Sequence, residues 1–222
     1  MKNLYDLAKC VEDRKEIPYY IVSGAFEDCT AYHTYEIGGY FNYVLKSGFS
    51  SQILTQLSRL YILELILPEV DKLKEIEQNK SKSKNAFEHT LNVINSIPCD
   101  DITMRWVGLL HDIGKVITHK KSGNFLNHSE ESYRLAIPIL YSMQIEQIDL
   151  ILNIIRNHMI PLDYQRNPNW KDDTIERFIN KIGKELFLKT IEFSYYDKKA
   201  ENTNELFLDP IIELRERVLK HE

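Results

Sequence analysis

From about residue 51 onward, apolar residues recur at three- and four-residue steps, the period of a helix with one buried face. Ile148, Ile151 and Ile155 form such a series, as do Leu186, Phe193 and their neighbours. Helix-stopping residues cut the pattern into segments. The chain therefore predicts helices over 51–66 (before Pro68), 86–97 (before Pro98), 101–113 (before Gly114) and 129–143, the last kinked at Pro138. Further helices follow over 145–158 (before Pro161), 173–182, 184–200 and 210–220, with Asp209 and Pro210 as N-cap and first residue of the last. Period-two alternation is hard to find. The expectation is an all-α bundle over residues 51–222. In residues 1–50, Gly24, Gly38, Gly39 and Gly48 interrupt any long helical period, so this part reads as short helices and loops, a less regular section packed on the bundle.

Several polar residues sit on these apolar stripes. His158 ends the series Ile148, Ile151, Ile155, and Asp197 ends the series Leu186, Thr190, Phe193, so both side chains face inward. His89 follows Asn85-Ala86-Phe87-Glu88, a capping arrangement with Asn85 as N-cap and Glu88 reaching back, and lies in the first turns of a helix whose stripe includes Val93 and Ile97. The doublet His111-Asp112 ends the apolar run Trp106 to Leu110. An ionised aspartate buried without a partner costs several kcal/mol or more, so Asp112 must be paired, protonated or metal-bound. His128 precedes Ser129-Glu130-Glu131, a helix start, which places it at a pocket rim. Imidazole and carboxylate are the groups that hold first-row divalent ions, and these six residues read as a metal site.

The order of a lone His89, the doublet His111-Asp112 and a distal Asp197 resembles the HD-domain metal-dependent phosphohydrolases. The resemblance implies that these four hold one divalent ion, and that His128 and His158 match two further histidines of dinuclear members in which the doublet aspartate bridges two ions. Lys115, in His111-Asp112-Ile113-Gly114-Lys115, matches a lysine that contacts the scissile phosphate in some members. Phe87 to Leu91, Asn127 to Glu130 and Arg156 to Met159 are similar to the HD region of bacterial CCA-adding enzymes and related tRNA nucleotidyltransferases, over roughly residues 51 to 200. The nucleotidyltransferase head needs a Gly-Ser turn followed by paired carboxylates. Residues 23–28, Ser-Gly-Ala-Phe-Glu-Asp, do not supply it, and no CCA addition is expected.

Composition narrows the rest. At 222 residues, 43% hydrophobic and 27% charged, the chain suits one compact unit. No apolar stretch approaches the roughly 20 residues of a membrane span, and the start has no signal-peptide core. Cys10, Cys29 and Cys99 are widely spaced and odd in number, which fits a reducing compartment, with cytoplasm the default. A net charge of −5 argues against a protein that coats nucleic acid. Lys72, Lys74, Lys80, Lys82 and Lys84 form a local exception, read as a solvated loop or a phosphate-attracting lip. His33 lacks carboxylates at ligand spacing, His119 sits in a Lys-rich loop and His221 is one residue from the end, so none receives a role; Trp106 and the tyrosines read as packing, while Tyr195 and Tyr196 beside Asp197 read as either pocket lining or core.

The resemblance implies phosphate-ester hydrolysis of a nucleotide or nucleic-acid end. One or two divalent ions, with manganese, iron or magnesium suited to the donor set, would activate water. Asp112 and Lys115 are the catalytic candidates, Lys115 also binding substrate. The alternative is a non-catalytic RNA-binding or scaffold protein related to tRNA nucleotidyltransferases, with RNA as the partner.

Overall fold

A computed structural model describes every residue except 81–82, 123, 168, 202–207 and 222, and describes the backbone alone at 79–80 and 120–122. Helices dominate it, as expected: α1 Lys2–Glu12, α2 Tyr19–Ala31, α3 Thr34–Lys46, α4 Ser50–Arg59, α5 Ile62–Ile66, α6 Pro68–Asp71, α7 Ala86–Ser96, α8 Ile102–Leu110, α9 Lys115–Ser122, α10 His128–Ser142, α11 Ile148–Asn157, α12 Met159–Arg166, α13 Asp172–Ile182, α14 Lys184–Glu201 and α15 Asp209–Lys220. The one sheet among the described residues is a hairpin of β1 Glu77–Lys80 and β2 Ser83–Asn85.

A single apolar core runs from Leu4 and Leu7 on α1 through Phe41 on α3, Leu54 on α4 and Ile94 on α7 to Phe193 on α14. A second, smaller cluster joins Tyr164, Ile175, Phe187, Ile191, Leu214 and Val218 from α12 to α15. Residues 1–50 are more regular than the glycines suggested. Three helices of 11, 13 and 13 residues occupy most of this section. The physical reason is visible at Gly38, inside α3. A Cβ there would stand 2.2 Å from the backbone oxygen of Met143, so the missing side chain permits a close helix contact and does not break the helix.

Two consecutive residues of α8 fasten this section to the bundle. Arg105, only 3% exposed, donates to the carbonyl oxygens of Leu45 (2.6 Å) and Ile97 (2.9 Å) and to Ser50 Oγ (2.8 Å). Trp106 Nε1 donates to Asn42 Oδ1 at 2.7 Å. The guanidinium meets neutral acceptors, and burial pulls its pKa below the ordinary value.

Other boundaries moved for local reasons. The helix expected over 51–66 is split at Tyr61, which adopts a left-handed backbone (φ 58°). Pro161 does not end the chain of helices after His158. It lies in the first turn of α12, where the missing N–H has no helical partner to lose. The last helix begins one residue early, with Leu208 as N-cap and Asp209 inside. The lysine-rich stretch is not a plain loop: Lys72 and Lys74 lie in a 3₁₀ turn, Lys74 pairs with buried Asp71 at 2.6 Å, and Lys84 is in β2. The Lys80 side chain and Lys82 lie outside the described residues.

Candidate metal centre

Helix ends deliver most of the centre. His111 is the C-cap of α8, Lys115 opens α9, His128 opens α10, and His158 stands between α11 and α12. His89 lies in the first turn of α7. Asn85 Oδ1 caps that turn by accepting from Glu88 N at 2.8 Å, while the Glu88 carboxylate reaches back to Lys84 N, one residue beyond the expected partner. Asp197 comes from the interior of α14.

All six predicted ligand residues are buried, and all converge. His89 Nε2 is 2.8 Å from Asp197 Oδ1 and 3.9 Å from Asp112 Oδ2. His111 Nε2 lies 3.3 Å from Asp112 Oδ2 and 3.9 Å from Asp197 Oδ1. On the other side, His128 Nε2 is 3.3 Å from Asp112 Oδ1 and 3.1 Å from His158 Nε2. The two oxygens of Asp112 therefore face two different sets of nitrogens.

Backbone carbonyls fix the imidazole tautomers. His111 Nδ1 meets the Gly108 carbonyl at 2.9 Å, His128 Nδ1 the Phe125 carbonyl at 2.8 Å, and His158 Nδ1 the Ile155 carbonyl at 2.7 Å. A carbonyl only accepts, so each Nδ1 carries the hydrogen and each Nε2 presents a lone pair. His128 and His158 thus aim two lone pairs at each other, an arrangement that requires a proton or a cation between them. His111 Nε2, fully buried, makes no well-directed hydrogen bond, with Asp112 Oδ2 standing 3.3 Å away. These are the signs of a donor set organised for a cation, and the residues fit a divalent metal ion.

The electrostatics agree. Burial alone would raise the Asp112 carboxyl pKa, but His111, Lys115 and His128 hold it well below the ordinary carboxylate range. Burial, with His128 and His111 beside it, pushes His158 down to about 3, so that ring stays a neutral donor. For His111 burial opposes charge, yet the carboxylates of Asp112 and Asp197 outweigh it and raise its pKa. Lys115 is 5% exposed and pairs with Asp112 Oδ2 at 2.5 Å, 5.4 Å from the centre of the Phe125 ring.

The cluster forms the floor of a cavity of about 640 Å³. Its walls add residues that the sequence did not single out: Asn124, Arg166, Lys198 and Glu201, with Phe125, Leu126, Met159 and Leu162 as apolar surface. Glu201 carried one legible signal, its position four residues after Asp197 on the same helix. The others come from loop and helix ends that only folding brings together. A larger cleft of about 910 Å³ lies on the other side of α7, between α1, α2 and α4, and contains none of the six ligand residues. His33 helps start α3, with Glu36 accepting from its backbone N–H at 3.0 Å, and His119 stacks on Phe125; neither joins the cluster.

A family model described as HD domain matches residues 62–182. Among characterised proteins, the chain is 24% identical over 168 residues to an A-adding tRNA nucleotidyltransferase of Deinococcus radiodurans, covering 71% of this chain and 37% of that one. It is 28% identical over 125 residues to ribonuclease Y of Nitratiruptor sp., covering 51% of this chain and 22% of the relative. A CC-adding tRNA nucleotidyltransferase of Thermus thermophilus is 27% identical over 124 residues, 51% of this chain and 29% of its own length. The chain thus spans well under half the length of each of these relatives. No helix among the described residues is long and apolar enough to cross a membrane.

Proposed function

Because the chain belongs to the HD domain family, a metal-dependent hydrolase superfamily, we propose that it is a phosphohydrolase acting on a nucleotide or on the phosphate at a nucleic-acid end. The observation that carries this reading is the placement of Asp112, whose two carboxylate oxygens face separate sets of imidazole nitrogens. His89, His111, Asp112 and Asp197 would hold one ion, and Asp112, His128 and His158 a second. A divalent ion there supplies a Lewis acid for phosphoryl oxygens and lowers the pKa of water toward neutrality.

The chain's own residues do the remaining work. The carbonyls of Gly108, Phe125 and Ile155 lock three rings so that no nitrogen must reorient on binding, which removes a reorganisation cost. Lys115 holds its ammonium on Asp112, close enough to swing to charge developing on a phosphoryl group. Arg166 and Lys198 add positive charge to the wall, and Phe125, Leu126 and Met159 offer an apolar face to a base or sugar. A cavity of about 640 Å³ is in the range that accepts a small ligand of nucleotide size.

The test is hydrolysis of a panel of cyclic nucleotides, nucleoside monophosphates, dinucleoside polyphosphates and short RNA ends with manganese, iron or magnesium, with metal content measured in parallel. Asp112→Ala serves as control. Activity on one class that disappears in the variant supports the reading, and wild-type protein that binds no metal refutes it. The names of the nucleotidyltransferase and ribonuclease relatives point to RNA as partner, which a second reading, an RNA-binding protein without catalysis, would share. That reading predicts RNA affinity unchanged by Asp112→Ala.

A further inference from the structure

Glu201 lies one turn beyond Asp197 on α14, so both carboxylates project from the same face. His89, Asp197 and Glu201 each bring a ligand atom within 4.8 Å of the others. The Glu201 side chain is only 11% exposed, and Lys198 Nζ stands 2.8 Å from its Oε2. An ordinary pair of this spacing on a helix surface is worth a few tenths of a kcal/mol and leaves both groups in water. This one is drawn into the wall of the cavity, beside the buried carboxylate of Asp197.

We propose that Glu201 is a further ligand of the ion held by His89 and Asp197. The proposal rests on the metal-centre reading above and deepens it. His89 Nε2 is the nitrogen that faces both Asp197 (2.8 Å) and Asp112 (3.9 Å), and its single lone pair serves one ion, so the two groups that include His89 share one ion. With Glu201 included, that ion draws on His89, His111 and carboxylates from both α14 and the doublet.

The two lysines of the cavity then have parallel roles. Lys115 sits three residues after Asp112, and Lys198 three residues before Glu201; each ammonium occupies a carboxylate that a cation would claim. With a cation held by Asp112 and Glu201, Lys115 and Lys198 would be left free for phosphate oxygens of the substrate. Metal binding therefore creates anion affinity in the same cavity.

Manganese binding to the full chain, followed by titration calorimetry and by electron paramagnetic resonance of the free ion, tests this without a substrate. Glu201→Gln is expected to weaken binding at least about tenfold while the number of ions at saturation stays unchanged. Lys198→Ala, which removes the competing ammonium, is expected to tighten binding severalfold. Glu201→Asp, with its carboxylate withdrawn by one methylene, is expected to fall between wild type and Glu201→Gln, and it keeps the test readable should the glutamine variant fold poorly. Unchanged affinity in Glu201→Gln, with an unchanged melting curve for the metal-free protein, overturns the proposal. So does loss of one whole equivalent of manganese, which would mean a separate ion. A wild-type chain that takes up no manganese sinks the metal centre itself, an outcome distinct from failure of Glu201 alone.

Discussion

Gly114, between the doublet and Lys115, is where the two halves of the metal centre meet, and it yields the sharpest structural prediction. Its N–H donates to Ser132 Oγ at 2.8 Å. A Cβ on Gly114 would lie 2.2 Å from the carbonyl oxygen of His128 and 2.4 Å from Ser132 N, two backbone atoms of the first turn of α10. Optimal contact between heavy atoms is about 3.5 Å, so Gly114→Ala must part the two backbones by roughly 1 Å. Overpacking of this kind costs about 1–3 kcal/mol when side chains can yield, and here only backbone can. At about 2–4 °C per kcal/mol for a chain of this size, the melting temperature should fall by roughly 5–10 °C. The shift also carries His128 away from Asp112, so if the site takes two ions as proposed, one should be lost while the set of His89, His111 and Asp197 persists. Thermal melting by circular dichroism and metal content by mass spectrometry read both effects. Gly48→Ala is the control, because a Cβ there meets nothing within 4 Å. A Gly114→Ala protein that melts with wild type and keeps two ions would refute the reasoning.

Replacing Arg105 with Leu leaves the buried carbonyls of Leu45 and Ile97 without their donor; a loss of at least about 3 kcal/mol is expected in denaturant unfolding, and a loss below about 1 kcal/mol would contradict the role given to it. The pH dependence of metal-free and metal-loaded protein should run in opposite directions. His111 has a folded pKa raised above 6.5, so its contribution to metal-free stability is full below that value and is lost as pH rises through the folded pKa. A metal needs the neutral ring, so the rise in melting temperature on adding manganese should grow between about pH 5 and about pH 8; a constant increment would exclude His111 as a ligand.

Helices with an apolar period were legible to within a few residues, most plainly α11, which buries Ile151, Leu152, Ile154 and Ile155 and exposes Asp149, Asn153 and Arg156. The six candidate ligands were legible for the same reason. A histidine or aspartate that falls on a core stripe, as His158 and Asp197 do, announces a buried partner. What the pattern hid depends on contacts between segments far apart in sequence. Gly38 reads as a breaker until Met143 is seen against it, and the interruption at Tyr61 is a backbone conformation with no sequence period. The β-hairpin arises from a polar, lysine-bearing stretch whose pairing is mostly main chain, so neither alternation nor propensity marks it.

The site divides along the same line. The buried histidines and aspartates left a mark in the sequence, since burial of a charge is costly and rarely accidental. Residues that tune them did not. The sequence singles out neither Lys198 nor Arg166, the latter lying between the helices expected over 145–158 and 173–182, and nothing local tells that α12 and α14 bring them to one cavity. The carbonyls of Gly108, Phe125 and Ile155, which fix the direction of three lone pairs, belong to residues with no polar side chain at all. In each case the acceptor is the residue three positions before the histidine, and in two of them that residue stands in the last turns of a helix the ring caps. Those two tautomers are thus set by helix geometry, and the His128 tautomer by a loop carbonyl, with no partner side chain involved. That is why a histidine placed immediately after a helix, as His111 and His158 are, arrives with its Nε2 already aimed at the centre.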